Sequence, residues 1–459
     1  MGDASSTLVV MEDGDMSVFG SNSFGELGLG HTTKVVHPKL QHKDAFGGQD
    51  VVMASASPGH SACVTSTGSL WMWGRASSGA LGVAAADNEM FPILQLMPTQ
   101  AFAQAPVLMV ACGFQFTVIL TLEKQVWSCG LGVDGSLGQN DRESRNSFTQ
   151  IDHQRFGAGA TVTMVAVGHR HSMALTRTTA GDTLWTWGSN TDGQLGHGDG
   201  ADLLVPVAIP AATFGDVSVV SMDGGSGHTL VVTADGSLWG CGSDAFGQLG
   251  LHVDHTDVQG YVIETTMQRV LGAEFADGHG VLMAACGSLH SVVLAKNNTV
   301  WVCGFGRGIS IISQAQYTRS LTLIDPARFL NKKILTVAAG YCTCGAVAEN
   351  GDVWLWGDEG VQLCAPDLHA RAGRWHTPRP ERTLAFMMLY HERLGAEASR
   401  FACDLPDCVL ENMFDNMQFH PHTDTPYGLR DRMGRRPPRR VTAFDHDAPV
   451  LPDDRGEEQ

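Results

Sequence analysis

Short runs of alternating apolar and polar residues recur along the chain, each ending on a glycine reached through aromatic or small residues: SVFG, WMWG, WSCG, WTWG, WGCG, WVCG and WLWG. The closing glycines are Gly20, Gly74, Gly130, Gly188, Gly242, Gly304 and Gly357. Their spacing averages roughly 56 residues, the range of a propeller blade rather than a short solenoid turn. A period of two is that of a strand with one face buried. A second alternating run precedes each strand through a turn such as MEDGDM, TSTGSL, TADGSL or AENGDV. Asp-Gly and Asn-Gly accept the positive φ of a tight primed turn, so these pairs predict hairpins. A third strand comes before the hairpin in the later units and ends in a glycine turn, as in MVACGFQFT, MVAVGHRHS and LMAACGSLHS. Three or four antiparallel strands per unit, with no helical pattern between units, predict an all-β chain whose residues 1–380 form a seven-bladed β-propeller.

The loop after the closing glycine repeats as well: GSNSFGELG, GRASSGALG, GLGVDGSLG, GSNTDGQLG and GSDAFGQLG. It superficially resembles a phosphate cradle. Such a cradle needs a lysine and a hydroxyl residue after its last glycine, at a strand-to-helix junction. Here Gln194 and Leu195 stand in those places and no helix follows. Repetition in five units makes the loop architectural, glycine serving turns and leucine plugging between blades. Of the 10 tryptophans, Trp71, Trp73, Trp127, Trp185, Trp187, Trp239, Trp301, Trp354 and Trp356 fall at two equivalent seats before the closing glycine. Packing between blades is their expected role.

Composition narrows the function. With 43% hydrophobic and 17% charged residues the chain is globular. A net charge of -18 makes the body repel nucleic-acid phosphate and anionic lipid, so no DNA is expected through it. No apolar run reaches the ~20 residues of a membrane span. MGDASS fits the myristoylation pattern but has no second anchor nearby. The 11 cysteines read as reduced thiols of a cytoplasmic or nuclear protein.

The pattern A-x-G-x-x-H-[ST] followed by D-G-x-[LV]-W-x-W-G-x-N-x-x-G-Q-L-G is clearest in VAVGHRHSMALTRTTAGDTLWTWGSNTDGQLG, residues 165–196. It resembles the regulator of chromosome condensation repeat family, over roughly residues 7–380. The resemblance implies a propeller and leaves function open. The founding member exchanges guanine nucleotide on a small GTPase with a wedge that lengthens one loop. Here the interval to the next glycine is five residues each time, at Gly25, Gly79, Gly135, Gly193 and Gly247, so no wedge is visible. Photoreceptor members place tryptophan after the glycine of Gly-x-x-His, where this chain has Phe114, His169, Ser226, Ser288 and Tyr341. Ligase members carry a catalytic domain too large for the roughly 79 residues after Pro380.

Candidate chemistry is sparse. His60, His171, His228 and His290 share one repeat seat, with Phe116 and Thr343 in two other copies. Around a ring such seats lie far apart, so turn capping is expected and a metal is not. Cys112, Cys129, Cys241, Cys286 and Cys303 occupy repeat positions as small buried hydrophobes. Cys364, His369, His376, His391, Cys403 and Cys408 form only a weak zinc pattern. Neither catalytic constellation, metal nor cofactor is expected. Residues 381–417 read as a short, partly helical extension that could supply the leading strand the first repeat lacks. Residues 418–459 read as a disordered tail in which Arg430, Arg432, Arg435, Arg436, Arg439 and Arg440 form a candidate import signal or acidic-partner contact. The expectation is a monomeric, noncatalytic scaffold for a protein partner; the alternative is a guanine-nucleotide exchange factor, its partner a small GTPase.

Overall fold

The computed structural model describes residues 6–357 except 12, 87–88, 180, 252–261, 271–279, 307–316, 342 and 350–351. The extension, the arginine cluster and the Cys364–Cys408 group lie outside the described residues.

Every predicted unit is an antiparallel sheet, and the seven sheets form a β-propeller; among the described residues five blades have four strands and the first and last three. Blade 4 shows the plan: inner strand Thr161–Val167, hairpin strands His171–Thr178 and Gly181–Gly188, outer strand Leu203–Ile209. Blade 1 consists of Ser6–Val10, Met16–Gly20 and Val35–Gln41, with no inner strand among the described residues. Blade 7 consists of Ile334–Ala339, Thr343–Ala348 and Val353–Gly357.

Burial follows position in the blade. The second strands His60–Thr65, Phe116–Thr121 and His228–Thr233 are buried at every residue, because both faces meet neighbouring blades. Such strands lose the period-two signal. Outer strands are half-exposed, and three carry proline, at Pro38, Pro92 and Pro206. Proline removes a ladder donor and is at home on an edge strand.

Two expectations need correction. The hairpins at TSTGSL and TADGSL do not close with primed turns. Gly68 N–H donates to Thr65 O at 2.8 Å and Thr65 N–H to Ser69 O at 3.0 Å, while only the glycine has positive φ, +80°. This is a three-residue loop closed by a left-handed residue. Helical turns also exist between units: 3-10 segments Lys43–Phe46, Thr99–Phe102, His153–Phe156, Ala211–Phe214 and Pro326–Phe329 end on a buried phenylalanine. Four of these rings meet a tryptophan, Phe46 at Trp71, Phe156 at Trp185, Phe214 at Trp239 and Phe329 at Trp354, with centroids 5.5–5.9 Å apart and nearly perpendicular planes.

Candidate functional site: the loop face around the central channel

The Gly-x-x-His turns and the glycine loops share one face of the ring. Pairing enforces this, because the histidine seat lies opposite the closing glycine in blade after blade: His60 with Gly74, Phe116 with Gly130, His171 with Gly188, His228 with Gly242, His290 with Gly304 and Thr343 with Gly357. The closing glycine has φ near +105°, and a Cβ on Gly242 would stand 2.3 Å from Gly227 O. No L residue fits. The glycine of Gly-x-x-His is required for another reason: a Cβ on Gly168 would stand 2.2 Å from His171 Cε1.

The histidines join blades. His60 Nε2 lies 2.9 Å from Thr117 Oγ1, His171 Nε2 2.9 Å from Thr229 Oγ1, and His228 Nε2 3.0 Å from Ser291 Oγ, each hydroxyl belonging to the next blade. Those hydroxyls donate to carbonyls of the preceding glycine loops: Thr117 to Ala80 at 2.8 Å, Thr229 to Gln194 at 2.7 Å and Ser291 to Gln248 at 2.7 Å. A hydroxyl that donates its proton must accept from the imidazole, so Nε2 carries the hydrogen. Burial holds the rings neutral, depressing His60 and His290 to about 4 and His171 and His228 to about 3. Turn capping is thus only part of their work; the partner is a residue in the next repeat.

The same loop carbonyls accept a second donor from the seat before the closing glycine. Trp73 Nε1 donates to Glu26 O at 2.8 Å and Trp187 Nε1 to Ser136 O at 2.9 Å. Where that seat holds cysteine, Cys241 Sγ lies 3.3 Å from Gln194 O and Cys303 Sγ 3.4 Å from Gln248 O. Burial pushes these thiols up, as it does Cys112 on an inner strand, to about 12, so they pack rather than react. Inside the loops, Asn22 Oδ1 and Asn190 Oδ1 accept from Leu27 N and Leu195 N, and Asp244 Oδ1 takes the same place with Leu249 N at 2.8 Å. Leu27, Leu81, Leu137, Leu195 and Leu249 are buried. The loop is architecture, as its repetition predicts.

Two residues from each buried histidine seat, the same turns point to the ring axis. There Pro58, Phe114, His169, Ser226, Ser288 and Tyr341 surround a shallow cup of about 80 Å³. Main-chain bonds join the turns around the axis, Phe114 N–H to His169 O and His169 N–H to Gly225 O, both 3.0 Å. Phe114 and His169 stack with centroids 4.3 Å apart; across the cup the Ser226 and Ser288 hydroxyls are 2.8 Å apart. Burial and the neighbouring Arg170 depress His169 to about 4, so it is a neutral, stacked ring. Tyr341 is exposed. Further out the loops again differ: Arg75 lies over the Phe24 ring at 4.9 Å, Arg170 faces Asp134 at 3.5 Å, and Phe246 packs on Phe305 at 4.7 Å. The sequence placed these turn residues at one seat without showing that they meet.

The family model described as RCC1-like domain matches residues 2–311. This chain belongs to the RCC1-like domain family. It is 31% identical over 291 residues to the ultraviolet-B receptor UVR8 of Arabidopsis thaliana, covering 63% of this chain and 60% of the receptor. It is 28% identical over 363 residues to the human E3 ubiquitin-protein ligase HERC2, covering 77% of this chain but 7% of the ligase. A secretion-regulating guanine nucleotide exchange factor from Bos taurus matches at 32% over 237 residues, 50% of this chain and 48% of the relative. The chain therefore spans only part of each of these relatives. Among solved structures, Prp20p from Saccharomyces cerevisiae, described together with its binding to Gsp1p and histones, superimposes with a TM-score of 0.62 at 24% identity, over 80% of this chain and 83% of that one. Among the described residues, no helix is long and apolar enough to cross a membrane.

Proposed function

We propose that the chain is a noncatalytic interaction module, a monomeric disc that receives a protein partner on the loop face, in the cytoplasm or nucleus. The observation that carries this reading is the contrast within one turn. The buried seat is spent on joining blades, while the seat beside it, facing the cup, changes from Pro58 through Phe114, His169, Ser226 and Ser288 to Tyr341. The buried histidines are held neutral, with Nε2 committed to a hydroxyl in three of the four, which leaves them poor general bases. Tryptophans do not line the cup, so light sensing of the kind named for UVR8 finds no support there.

The test is affinity capture with the full chain and with the variants Phe114→Asp and Tyr341→Asp. Loss of a wild-type partner at unchanged melting temperature is expected. Equal capture by all three would move the interaction off this face.

Nucleotide exchange on a small GTPase is the second reading. It is favoured by the likeness to the secretion-regulating exchange factor and by the Gsp1p binding described for Prp20p. Such exchange requires no acid or base. Release of a fluorescent nucleotide from a panel of small GTPases decides: acceleration at substoichiometric amounts of the chain would put this reading first. Capture with and without residues 418–459 tests the arginine cluster as a separate acidic-partner contact.

A further inference from the structure

The outer strand of blade 1 departs from its counterparts. Residues 31–43, HTTKVVHPKLQHK, contain His31, Lys34, His37, Lys39, His42 and Lys43 and no acidic residue, on a chain of net charge -18. The corresponding segments of other blades mix the signs or carry acids: Asp141 and Glu143 precede Arg145–Gln150, Asp199 and Asp202 precede Leu203–Ile209, and Glu264 lies within Ile263–Arg269.

Geometry turns this strip outward. Val35 and Gln41 are buried at the ends of the strand, and Gln41 Nε2 is tied to Leu27 O at 2.8 Å. Between them the pairing with Met16–Gly20 slips at a bulge, so the regular alternation is lost. Val36 is left 70% and Leu40 42% exposed, beside exposed His37 and Lys39. Among the described residues neither His37 nor Lys39 has an ion-pair partner, whereas Lys43 is held by Asp50 at 2.8 Å and His42 by Asp15 at 3.1 Å. No further strand pairs with this edge among the described residues.

We propose that this edge is a second docking surface, for an extended acidic segment of a protein partner. Its carboxylates meet Lys39 and the neighbouring basic side chains, and its apolar residues cover Val36 and Leu40. Charge complementarity selects the peptide over other polyanions. Screening in physiological salt confines a short ligand's view to about 8 Å, so a peptide on the rim meets the strip around Lys39, with Asp15 and Asp50 already engaged by His42 and Lys43, rather than the wider acidic body. A bilayer or a long nucleic acid also confronts the acidic body and is repelled. Because Pro38 removes one main-chain donor from the edge, side chains hold the peptide more than a continuous ladder does.

The test uses the full chain and a fluorescein-labelled decapeptide alternating glutamate with leucine and valine, read by anisotropy. Saturable binding is expected, weakened about tenfold by Lys39→Glu and by Val36→Asp and weakened by added salt. Lys332→Glu makes the same charge change at another exposed site and is expected to shift affinity less than about twofold. Thermal melts of each variant separate lost binding from lost folding. Absence of binding, equal weakening by Lys332→Glu, or equally strong strip-dependent binding of single-stranded DNA or phosphatidylserine vesicles would overturn the proposal. The strip lies on the rim, so its failure leaves the loop-face reading untouched.

Discussion

Two residues apart in the turn of blade 4, His169 and His171 have opposite duties. His171 is sealed between blades, bonded to Thr229, and has equivalents in three other blades; His169 stacks on Phe114 at the open cup, and the seat changes in nearly every copy. One short segment thus contributes both to holding the ring together and to what the ring presents. In a repeat fold, variation can be read as function only after each seat's burial is known.

Acid should affect the buried class most. Each depressed imidazole is neutral when folded but takes a proton near pH 6.5 when unfolded, so its stabilisation is complete above that pH and is lost as pH falls toward 4 or 3. The loss is about 1.4 kcal/mol per histidine for each pH unit below about 6.5. Melting temperature should be level above pH 7 and fall steeply below 6; a profile level to pH 4.5 would contradict the neutral girdle. Asp244 acts in the opposite sense, its carboxyl raised to about 6 by burial, and softens the fall without reversing it.

Gly168→Ala drives a methyl into the His171 ring and into Gly225 O, which lies 2.5 Å from the Cβ position. Overpacking of this kind should cost about 3 kcal/mol in denaturant unfolding, against under about 1 kcal/mol for His169→Ala next door. Comparable losses would erase the distinction between the two seats.

Asp244→Asn replaces a desolvated carboxylate with the amide that Asn22 and Asn190 supply in equivalent loops. The expected outcome at pH 7.5 is a gain of about 1 kcal/mol, shrinking as pH drops below 6. Smaller still is Lys124→Gly. Lys124 holds φ +63° where Gly68 and Gly236 occupy the matching turns, and relieving it should add about 0.5 kcal/mol.

The blade count, the hairpins and the structural role of the glycine loops were legible because each rests on local signals repeated along the chain. What escaped was contact between repeats. The hydroxyl that orients His60 is 57 residues away and that of His228 is 63 away, so no window of the sequence displays either pair. The 3-10 turns were overlooked although KDAF, TQAF, HQRF, AATF and PARF end on phenylalanine at one offset; four residues are too few for a helical period to register. The primed-turn reading failed at TSTGSL and TADGSL because a turn glycine also suits a longer loop with one left-handed residue.

A loop carbonyl in one unit receives a hydroxyl and an indole or thiol from its successor, and the arrangement recurs from junction to junction. Such a joint has a sense of direction, socket first and plug second, and the same kind of plug meets the same kind of socket at five junctions. A gene that duplicates or sheds one complete module therefore leaves compatible ends, which gives this architecture a route to new ring sizes without redesigning a single seam.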